Sequence, residues 1–265
     1  MRKLWLKEGW GCRYPVSDPI ESRPMTTVTT PPRRAAGSRR GVGWFVRGVI
    51  GIVGELMITA GVVLGLFVAW QLVWTDVVGD ADQGVAVTQL EQSFQVPQEA
   101  PATLEPAKIG KGFAIVRIPR FGAKYAKPLY EGTDRLTLQK GIGHYPDSVM
   151  PGEIGNFSMA GHRTTYGKPF NKVAELKHGD LVIIETAEAY SVYEVYEDLI
   201  VLPTQVEVVA PVPSRPGEQP TEALMTMTSC HPMFSSRQRW VTHGRLVETI
   251  PRAEGLPLEL LEVSD

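Results

Sequence analysis

The chain has 265 residues, and 27 Lys and Arg against 29 Asp and Glu give a formal net charge of -2. This length allows one domain of ordinary size with appendages, since domains commonly have about 100–200 residues. The near-neutral charge gives no electrostatic support to nucleic-acid binding, and the two cysteines cannot build a disulfide framework. We therefore expect no nucleic-acid partner.

The N-terminal part of the chain predicts a tail followed by a membrane anchor. Residues 1–43 are rich in Arg, Pro, Ser and Thr, which predicts a basic, disordered tail. Residues 48–74 are almost wholly apolar, with Glu55 as the only charge. About 20 apolar residues span a bilayer as a helix, so residues 44–74 are predicted to be a transmembrane anchor. The alternatives are a buried core helix and a cleaved signal peptide, whose apolar core commonly has only about 7–15 residues.

The charges on either side of the anchor predict its orientation. Arginines come before the apolar run and aspartates come after it, at Arg33, Arg34, Arg39, Arg40, Arg47, Asp76, Asp80 and Asp82. Basic flanks stay in the cytoplasm. We therefore predict a single-pass protein of the cell membrane, with a cytoplasmic N terminus and an extracellular C-terminal domain. Cys12 and Cys230 would then lie on opposite sides of the membrane.

The remaining chain reads as a stalk, a compact domain and a tail, over residues 75–107, 108–250 and 251–265. Short β-like runs separated by turn residues fill the domain, at 112–118, 155–160, 181–186, 191–196, 199–202, 224–229 and 239–247. Helical segments are few, at 133–140 and 169–176. This pattern predicts a mainly all-β domain, a closed or nearly closed barrel with short helices. A proline-rich loop over 203–221 is either a lid that faces a substrate or a surface insertion.

Three residues of the domain predict a nucleophilic enzyme. Cys230 ends a strand-like run, Arg239 opens another nine positions later, and His162 lies far upstream after a third run. A thiolate is the reactive form of cysteine, and it needs a positive neighbour. Histidine is the usual proton carrier near neutral pH, and arginine can stabilise an oxyanion. Taken singly, each residue has a structural interpretation: Cys230 as a small buried side chain, and His162 as a turn residue. His231 is the rival of His162 for the base.

Several motifs resemble those of sortases, the membrane-anchored cysteine transpeptidases of Gram-positive bacteria. The resemblance covers about residues 112–247 and is carried in order by Ile118-Pro119-Arg120, Tyr130-Glu131-Gly132-Thr133, Gly141-Ile142-Gly143-His144-Tyr145-Pro146, Ala160-Gly161-His162-Arg163-Thr164-Thr165-Tyr166-Gly167, Thr228-Ser229-Cys230 and Arg239. The His162 segment and Cys230-His231-Pro232 resemble class E, the housekeeping sortases of high-GC actinobacteria. Ser229 departs from the family, which usually has Thr before the cysteine.

The resemblance implies an eight-stranded sortase β-barrel and a defined reaction. Cys230 would attack the Thr–Gly bond of a C-terminal sorting signal on a secreted protein. A peptidoglycan precursor amine, that of lipid II, would then resolve the thioacyl enzyme. His162 would act as acid and base, and Arg239 would bind the substrate and its oxyanion.

Class E further implies a Leu-Ala-X-Thr-Gly signal. Tyr145 falls where other sortases have a small residue, and its hydroxyl could accept the backbone N–H that Ala has and Pro lacks. Alternatively, Tyr145 is a half-buried aromatic residue of the barrel. Ser229 is the second substrate-binding candidate. The sequence has no Cys/His cluster at zinc spacing and no clustered run of acids for calcium, so we predict no cofactor and no metal.

Three other functions stay open on the sequence. A pilus-polymerising sortase would join protein subunits through a lysine. A hydrolytic cysteine protease would use the same three residues with water as the acceptor, although the papain-type signature around the nucleophile is absent here. A membrane-tethered β-barrel binding module would perform no chemistry.

Overall fold

The computed structural model describes residues 42–95 and 108–262. The chain divides after Leu56 into two units, Met1–Leu56 and Met57–Asp265. A single long helix, α1 (Val42–Phe94), runs through the end of the first unit and the beginning of the second. The rest of the second unit consists of a β-barrel and short helices.

The barrel has eight strands, as the family resemblance implies. They are β1 (Gly112–Arg117), β2 (Ala126–Glu131), β3 (Ile142–His144), β4 (Gly155–Ala160), β5 (Leu181–Glu185), β6 (Ala189–Val201), β7 (Ala223–His231) and β8 (Gln238–Pro251). Hydrogen bonding follows the closed order β1-β2-β3-β4-β7-β8-β6-β5. The predicted closed, mainly β architecture is therefore confirmed.

The helix α2 (Arg135–Lys140) crosses between β2 and β3, which are parallel neighbours. The Asp134 side chain caps α2 by accepting from the backbone N–H groups of Leu136 and Thr137. The predicted helix over 169–176 is wrong, since only a 3₁₀ helix at Val173–Glu175 forms there. Further 3₁₀ helices are Pro119–Phe121, Val206–Val209, Arg252–Glu254 and Leu258–Leu261.

Alternate side chains of the strands fill the barrel. Phe157, Phe170 and Tyr193 are fully buried there among Ile, Leu, Val and Met side chains, and these apolar contacts supply the main driving force for closing the barrel. A second cluster around Ile183 and Ile250 packs against leucines from the described part of the predicted C-terminal tail. Those leucines are Leu256, Leu260 and Leu261.

α1 contains the candidate membrane span. An 18-residue window reaches a mean hydropathy of 2.2 with none of it buried, and α1 is the one such helix in the described part of the chain. This fits the predicted anchor. The helix does not end at Trp74 but continues to Phe94, so residues 75–94 of the predicted stalk are helical. Residues 1–41 and 96–107 lie outside the described residues.

The C-terminal part of α1 lies against the barrel. Asp76 Oδ2 pairs with Lys168 Nζ at 3.0 Å, and Glu91 Oε1 pairs with Arg117 Nη2 at 2.6 Å. Between them Val87 is 7 % exposed. These contacts bring α1 to the loop that follows β4, where His162 lies.

Candidate active site

Cys230 and Arg239 are direct partners across two antiparallel strands. Cys230 is the penultimate residue of β7, and the register sets it opposite Arg239 near the start of β8. Residues directly opposite in an antiparallel pair have Cα atoms about 4.5–5.5 Å apart. The Cys230 thiol is free and half-buried. The structure therefore brings together two of the three residues that the sequence singled out.

His162 is tied to the same end of β7. Strand β4 runs parallel to β7, with Ala160 opposite Thr228. Beyond that pair, Gly161 N–H donates to the Thr228 carbonyl at 3.1 Å, and the buried Ser229 hydroxyl donates to the Gly161 carbonyl at 2.9 Å. His162 therefore directly follows the backbone contact between Gly161 and Thr228, and Thr228 precedes Cys230 by two positions.

The loop that carries His162 needs glycine at its start. A Cβ on Gly161 would lie 2.6 Å from the Phe170 ring, which is closer than such contacts occur. Phe170 N–H also donates to the His162 carbonyl at 3.0 Å, so the loop closes on itself beneath the histidine. The close contact between Gly161 and the fully buried Phe170 therefore fixes the backbone on which His162 lies.

The His162 ring lies in an apolar setting. Its centroid is 5.1 Å from that of Tyr166, and its Nε2 is buried without a hydrogen-bond partner. Burial lowers the pKa of His162 from its usual value. The ring is consequently neutral near pH 7 and has a nitrogen available to take up or deliver a proton.

Arg239 lines a cavity together with Tyr145, Thr228 and Val241. The other wall of this cavity comes from the end of β6 and the start of the 203–221 loop: Val201, Leu202, Pro203, Gln205, Val206, Val208 and Val209. The start of that loop thus lies at the same cavity as Arg239, and its role as a lid or a surface insertion stays a prediction. In the structure Arg239 Nη1 donates to the carbonyls of Ser236 at 2.9 Å and Gln238 at 3.0 Å.

The two substrate-binding candidates differ in their surroundings. The Tyr145 hydroxyl lies 3.1 Å from Thr228 Oγ1, and both residues line the cavity described above. Ser229 is 3 % exposed, and its hydroxyl is directed to the Gly161 carbonyl. Ser229 therefore holds the His162 loop to β7, and a contact of this residue with substrate stays a prediction.

The sequence did not single out Arg163 as a site residue. Its Nη1 donates to the Cys230 carbonyl at 3.2 Å and to His231 Nδ1 at 3.0 Å, and its guanidinium lies 5.6 Å from the Trp240 ring centroid. Arginine side chains are mostly exposed, so the position of Arg163 next to His162 in the sequence did not predict a buried contact with Cys230. His231, the rival base, has its Nδ1 occupied by Arg163.

In the part of the chain that the structure describes, no group of three or more His, Cys, Asp or Glu side chains is arranged to hold a metal ion. The side chains at the site offer a thiol, an imidazole and two guanidinium groups. These stand at one end of a closed barrel, on adjacent strands or on the loop joined to them. Such a site defines a cysteine-dependent β-barrel protein.

Comparison with known proteins gives the family. A model of the sortase domain matches residues 116–247. Sortase SrtE1 of Streptomyces coelicolor is 36 % identical over 213 residues, which cover 77 % of this chain and 59 % of SrtE1. Sortase SrtE2 of the same organism is 33 % identical over 84 % of this chain and 93 % of its own length. The chain belongs to the sortase family.

A solved structure supports the same assignment. Sortase E1 of S. coelicolor with a tripeptide in the active site aligns with a TM-score of 0.52 and 35 % identity, over 57 % of this chain and 98 % of that chain. Sortases are cysteine transpeptidases, and the three relatives named above are sortases E, as the sequence motifs predict.

Proposed function

We propose that this protein is a membrane-anchored class E transpeptidase in which Cys230, His162 and Arg239 carry the reaction. The observation that carries the proposal is the strand register. Cys230 lies opposite Arg239, and the Gly161–Thr228 hydrogen bond joins the His162 loop to the same strand end. A nucleophile, a proton carrier and an oxyanion binder are thus provided by neighbouring backbone segments.

The first half-reaction forms a thioester. The proton of the Cys230 thiol passes to the neutral His162 ring, and Sγ attacks the carbonyl carbon of the Thr residue in a sorting signal, so that negative charge develops on the carbonyl oxygen. Arg239 stabilises that oxygen: both of its hydrogen bonds in the structure use Nη1, which leaves Nε and Nη2 for a substrate. The C–N bond then breaks, and His162 delivers a proton to the departing Gly amine.

The second half-reaction transfers the acyl group. An amine of a cell-wall precursor such as lipid II attacks the thioester carbon, and His162 takes up the proton that the amine loses. The Cys230 thiolate leaves, and a new amide bond links the secreted protein to the precursor. An anchor in α1 suits this chemistry, because both a lipid-linked acceptor and a newly secreted protein are at the membrane surface.

The cavity beside Arg239 is the proposed binding site of the sorting signal. Its lining includes five valines together with Leu202 and Pro203, which suits the apolar Leu of such a signal. Tyr145 stands in the same wall and supports a Leu-Ala-X-Thr-Gly signal, whose Ala N–H the phenol oxygen can accept. The tripeptide in the active site of the S. coelicolor relative supports a peptide as the substrate.

Mass spectrometry of the full chain in detergent tests the proposal. Incubation with a Leu-Ala-X-Thr-Gly peptide is expected to add the mass of the acyl fragment to Cys230, and Cys230→Ala is expected to carry no adduct. Added triglycine is expected to convert the adduct into an amide product. Release of the free acid alone, whatever amine is added, would indicate a protease, and transfer only to a lysine side chain would indicate a pilus polymerase. Absence of any adduct would leave a binding module.

A further inference from the structure

Arg163 is a buried cation next to the nucleophile. Its residue exposure is only 6 %, although arginine is rarely this buried without a charged partner. It lies on the loop after β4, and it reaches across to the end of β7. The side chain therefore connects the backbone segment of His162 with that of Cys230.

The contacts of Arg163 are all uncharged. Nη1 donates to the Cys230 carbonyl and to His231 Nδ1, the guanidinium lies over Trp240, and Nε is buried without a partner. Among the residues that the structure describes, no carboxylate forms an ion pair with it. A buried charge without a counter-ion is costly.

An anion at Cys230 would offset that cost. Burial lowers the pKa of the Arg163 guanidinium, and its Coulombic interaction with Cys230 acts in the opposite direction. The hydrogen bond from Nη1 to the Cys230 carbonyl places this positive charge beside the nucleophile, and a positive neighbour favours a thiolate. A thiolate at Cys230 would supply the missing counter-ion of Arg163.

We propose that Arg163 is a positioning residue of Cys230: it fixes the end of β7 through the Cys230 carbonyl and supplies the positive charge that favours the thiolate. This inference rests on the proposed role of Cys230 as the nucleophile. It assigns different roles to the two arginines of the site. Arg163 acts on the free enzyme, and Arg239 acts on the bound substrate.

The other charged or titratable groups around Cys230 are less suited to this role. His231, on the same strand, is engaged at Nδ1 as the hydrogen-bond acceptor of Arg163. His162, on the loop after β4, is buried with a lowered pKa and carries no charge near pH 7. Arg239, on β8, directs Nη1 to the carbonyls of Ser236 and Gln238.

The pH profile of Cys230 alkylation by iodoacetamide measures the thiolate in the full chain in detergent, when the adduct is quantified by mass spectrometry on the peptide that contains Cys230 and thus apart from Cys12. We expect Arg163→Met to shift the midpoint of this profile upward by about one pH unit, because a neighbouring opposite charge stabilises an ionised group by about that much or more. Below the midpoint the alkylation rate would fall about tenfold. Arg163→Lys keeps the charge and is expected to recover most of the shift.

Arg252→Met is the matched control. Arg252 is likewise partly buried, lies 5.5 Å from the Tyr190 ring centroid and donates to the Thr186 carbonyl, yet it belongs to the network around Glu185. Its loss is expected to leave the alkylation midpoint unchanged. Thermal melting of each variant separates a loss of fold from a loss of charge. If Arg163→Met does not melt cooperatively, Arg163→Gln provides the same comparison with a polar side chain.

A folded Arg163→Met or Arg163→Gln with the midpoint of the unmodified protein would overturn the proposal. So would an Arg163→Lys whose midpoint moves as far as that of the neutral variants, because the charge would then have no effect. Alkylation needs no sorting peptide, so the outcome is independent of whether Cys230 is acylated. Failure of the proposed function and failure of this inference are therefore separate results.

Discussion

The side-chain amide of Gln83, on α1, donates a hydrogen bond to the backbone carbonyl of Tyr166 at 2.8 Å. Gln83 is 1 % exposed, so this polar contact is enclosed. The two backbones also approach closely beside it: a Cβ on Gly79 would lie 2.7 Å from the nitrogen of Gly167. Because Tyr166 packs on the His162 ring, the helix that leaves the membrane span supports the loop of the proposed proton carrier.

Gln83→Ala is expected to loosen this loop. It leaves the Tyr166 carbonyl without its partner, which commonly costs about 1–3 kcal/mol. Hydrogen exchange of the loop amides of Lys168 and Phe170 should accelerate about tenfold to a hundredfold, if local opening absorbs that cost. Gln92→Ala, on the exposed side of the same helix, is the control and should leave the exchange unchanged. Equal exchange in both variants would show that α1 does not support the loop.

The orientation of the anchor can be tested on intact protoplasts. We expect protease to remove a tag at the C terminus and to spare a tag at the N terminus, since arginines precede the apolar run and aspartates follow it. The barrel must face outward for the proposed substrates to reach it. Removal of both tags, or of the N-terminal tag alone, would contradict this topology, and soluble protein in the medium would indicate a cleaved signal peptide.

The strands could be predicted from the sequence where apolar and polar residues alternate, or where apolar residues follow one another, over five residues or more. The two strands that it did not predict have specific reasons. β2 contains Pro128, which lacks a backbone N–H and lowers the strand signal, and β3 has only three residues. The two runs predicted at 191–196 and 199–202 form a single strand, β6, because bulges at Val192/Tyr193 and Val195/Glu197 absorb the break in the pattern.

The site residues that lie in sequence motifs were predictable, whereas the residues that join the site only through tertiary packing were not. Cys230, His162 and Arg239 stand in motifs of the family, and the sequence predicted their roles. Arg163 and Gln83 are long polar side chains whose burial depends on what approaches them from elsewhere in the chain. Local sequence does not determine which distant segments pack against these two side chains, so their burial is visible only in the tertiary structure.

His243 gives the barrel a pH-dependent stability. It is fully buried with Nδ1 2.9 Å from Thr226 Oγ1, and burial lowers its pKa from 6.5 to about 4. The unfolded chain therefore binds the extra proton between these pH values. The contribution to stability is complete above about pH 6.5, is lost as pH falls toward 4, and amounts to about 3 kcal/mol.

Urea unfolding of the detergent-solubilised chain between pH 7 and 4 measures this dependence. His243→Gln removes the titration and should flatten the curve of unfolding free energy against pH over that range, whatever its effect at pH 7. His178→Gln is the matched control, because His178 is an exposed turn residue. An unchanged slope in His243→Gln would assign the dependence to other groups.

Arg239 is expected to act on the transition state. Arg239→Ala should lower kcat/KM by about a hundredfold to a thousandfold, the range seen when one oxyanion donor is removed, while alkylation of Cys230 by iodoacetamide stays close to that of the unmodified protein. Arg239→Lys should recover little, because lysine lacks the planar fork of donors. The comparison of peptide turnover with alkylation decides between a substrate role and a role on the thiolate. A parallel loss of both would contradict the division between Arg239 and Arg163.

Tyr145 is expected to set the preference for Ala at the second signal position. Its hydroxyl lies 3.1 Å from Thr228 Oγ1, and when it donates there its oxygen can still accept the N–H of a substrate residue. Alanine has this N–H and proline does not. A Pro peptide would leave the oxygen unpaired at a cost of about 1–3 kcal/mol, which corresponds to about a tenfold to hundredfold preference in kcat/KM.

Tyr145→Phe keeps the ring and removes the oxygen, so it tests this preference directly. We expect the kcat/KM values for a Leu-Ala-X-Thr-Gly peptide and the matching Pro peptide to converge in this variant, mainly through loss of efficiency with the Ala peptide. Alkylation of Cys230 should not change, which excludes damage to the nucleophile. Thr228→Val removes the hydroxyl that lies next to that of Tyr145. This variant should weaken the preference less, because the Tyr145 oxygen remains. Efficiencies that stay far apart in Tyr145→Phe would assign the selection to other residues of the cavity, and equal efficiencies in the unmodified protein would remove the preference itself.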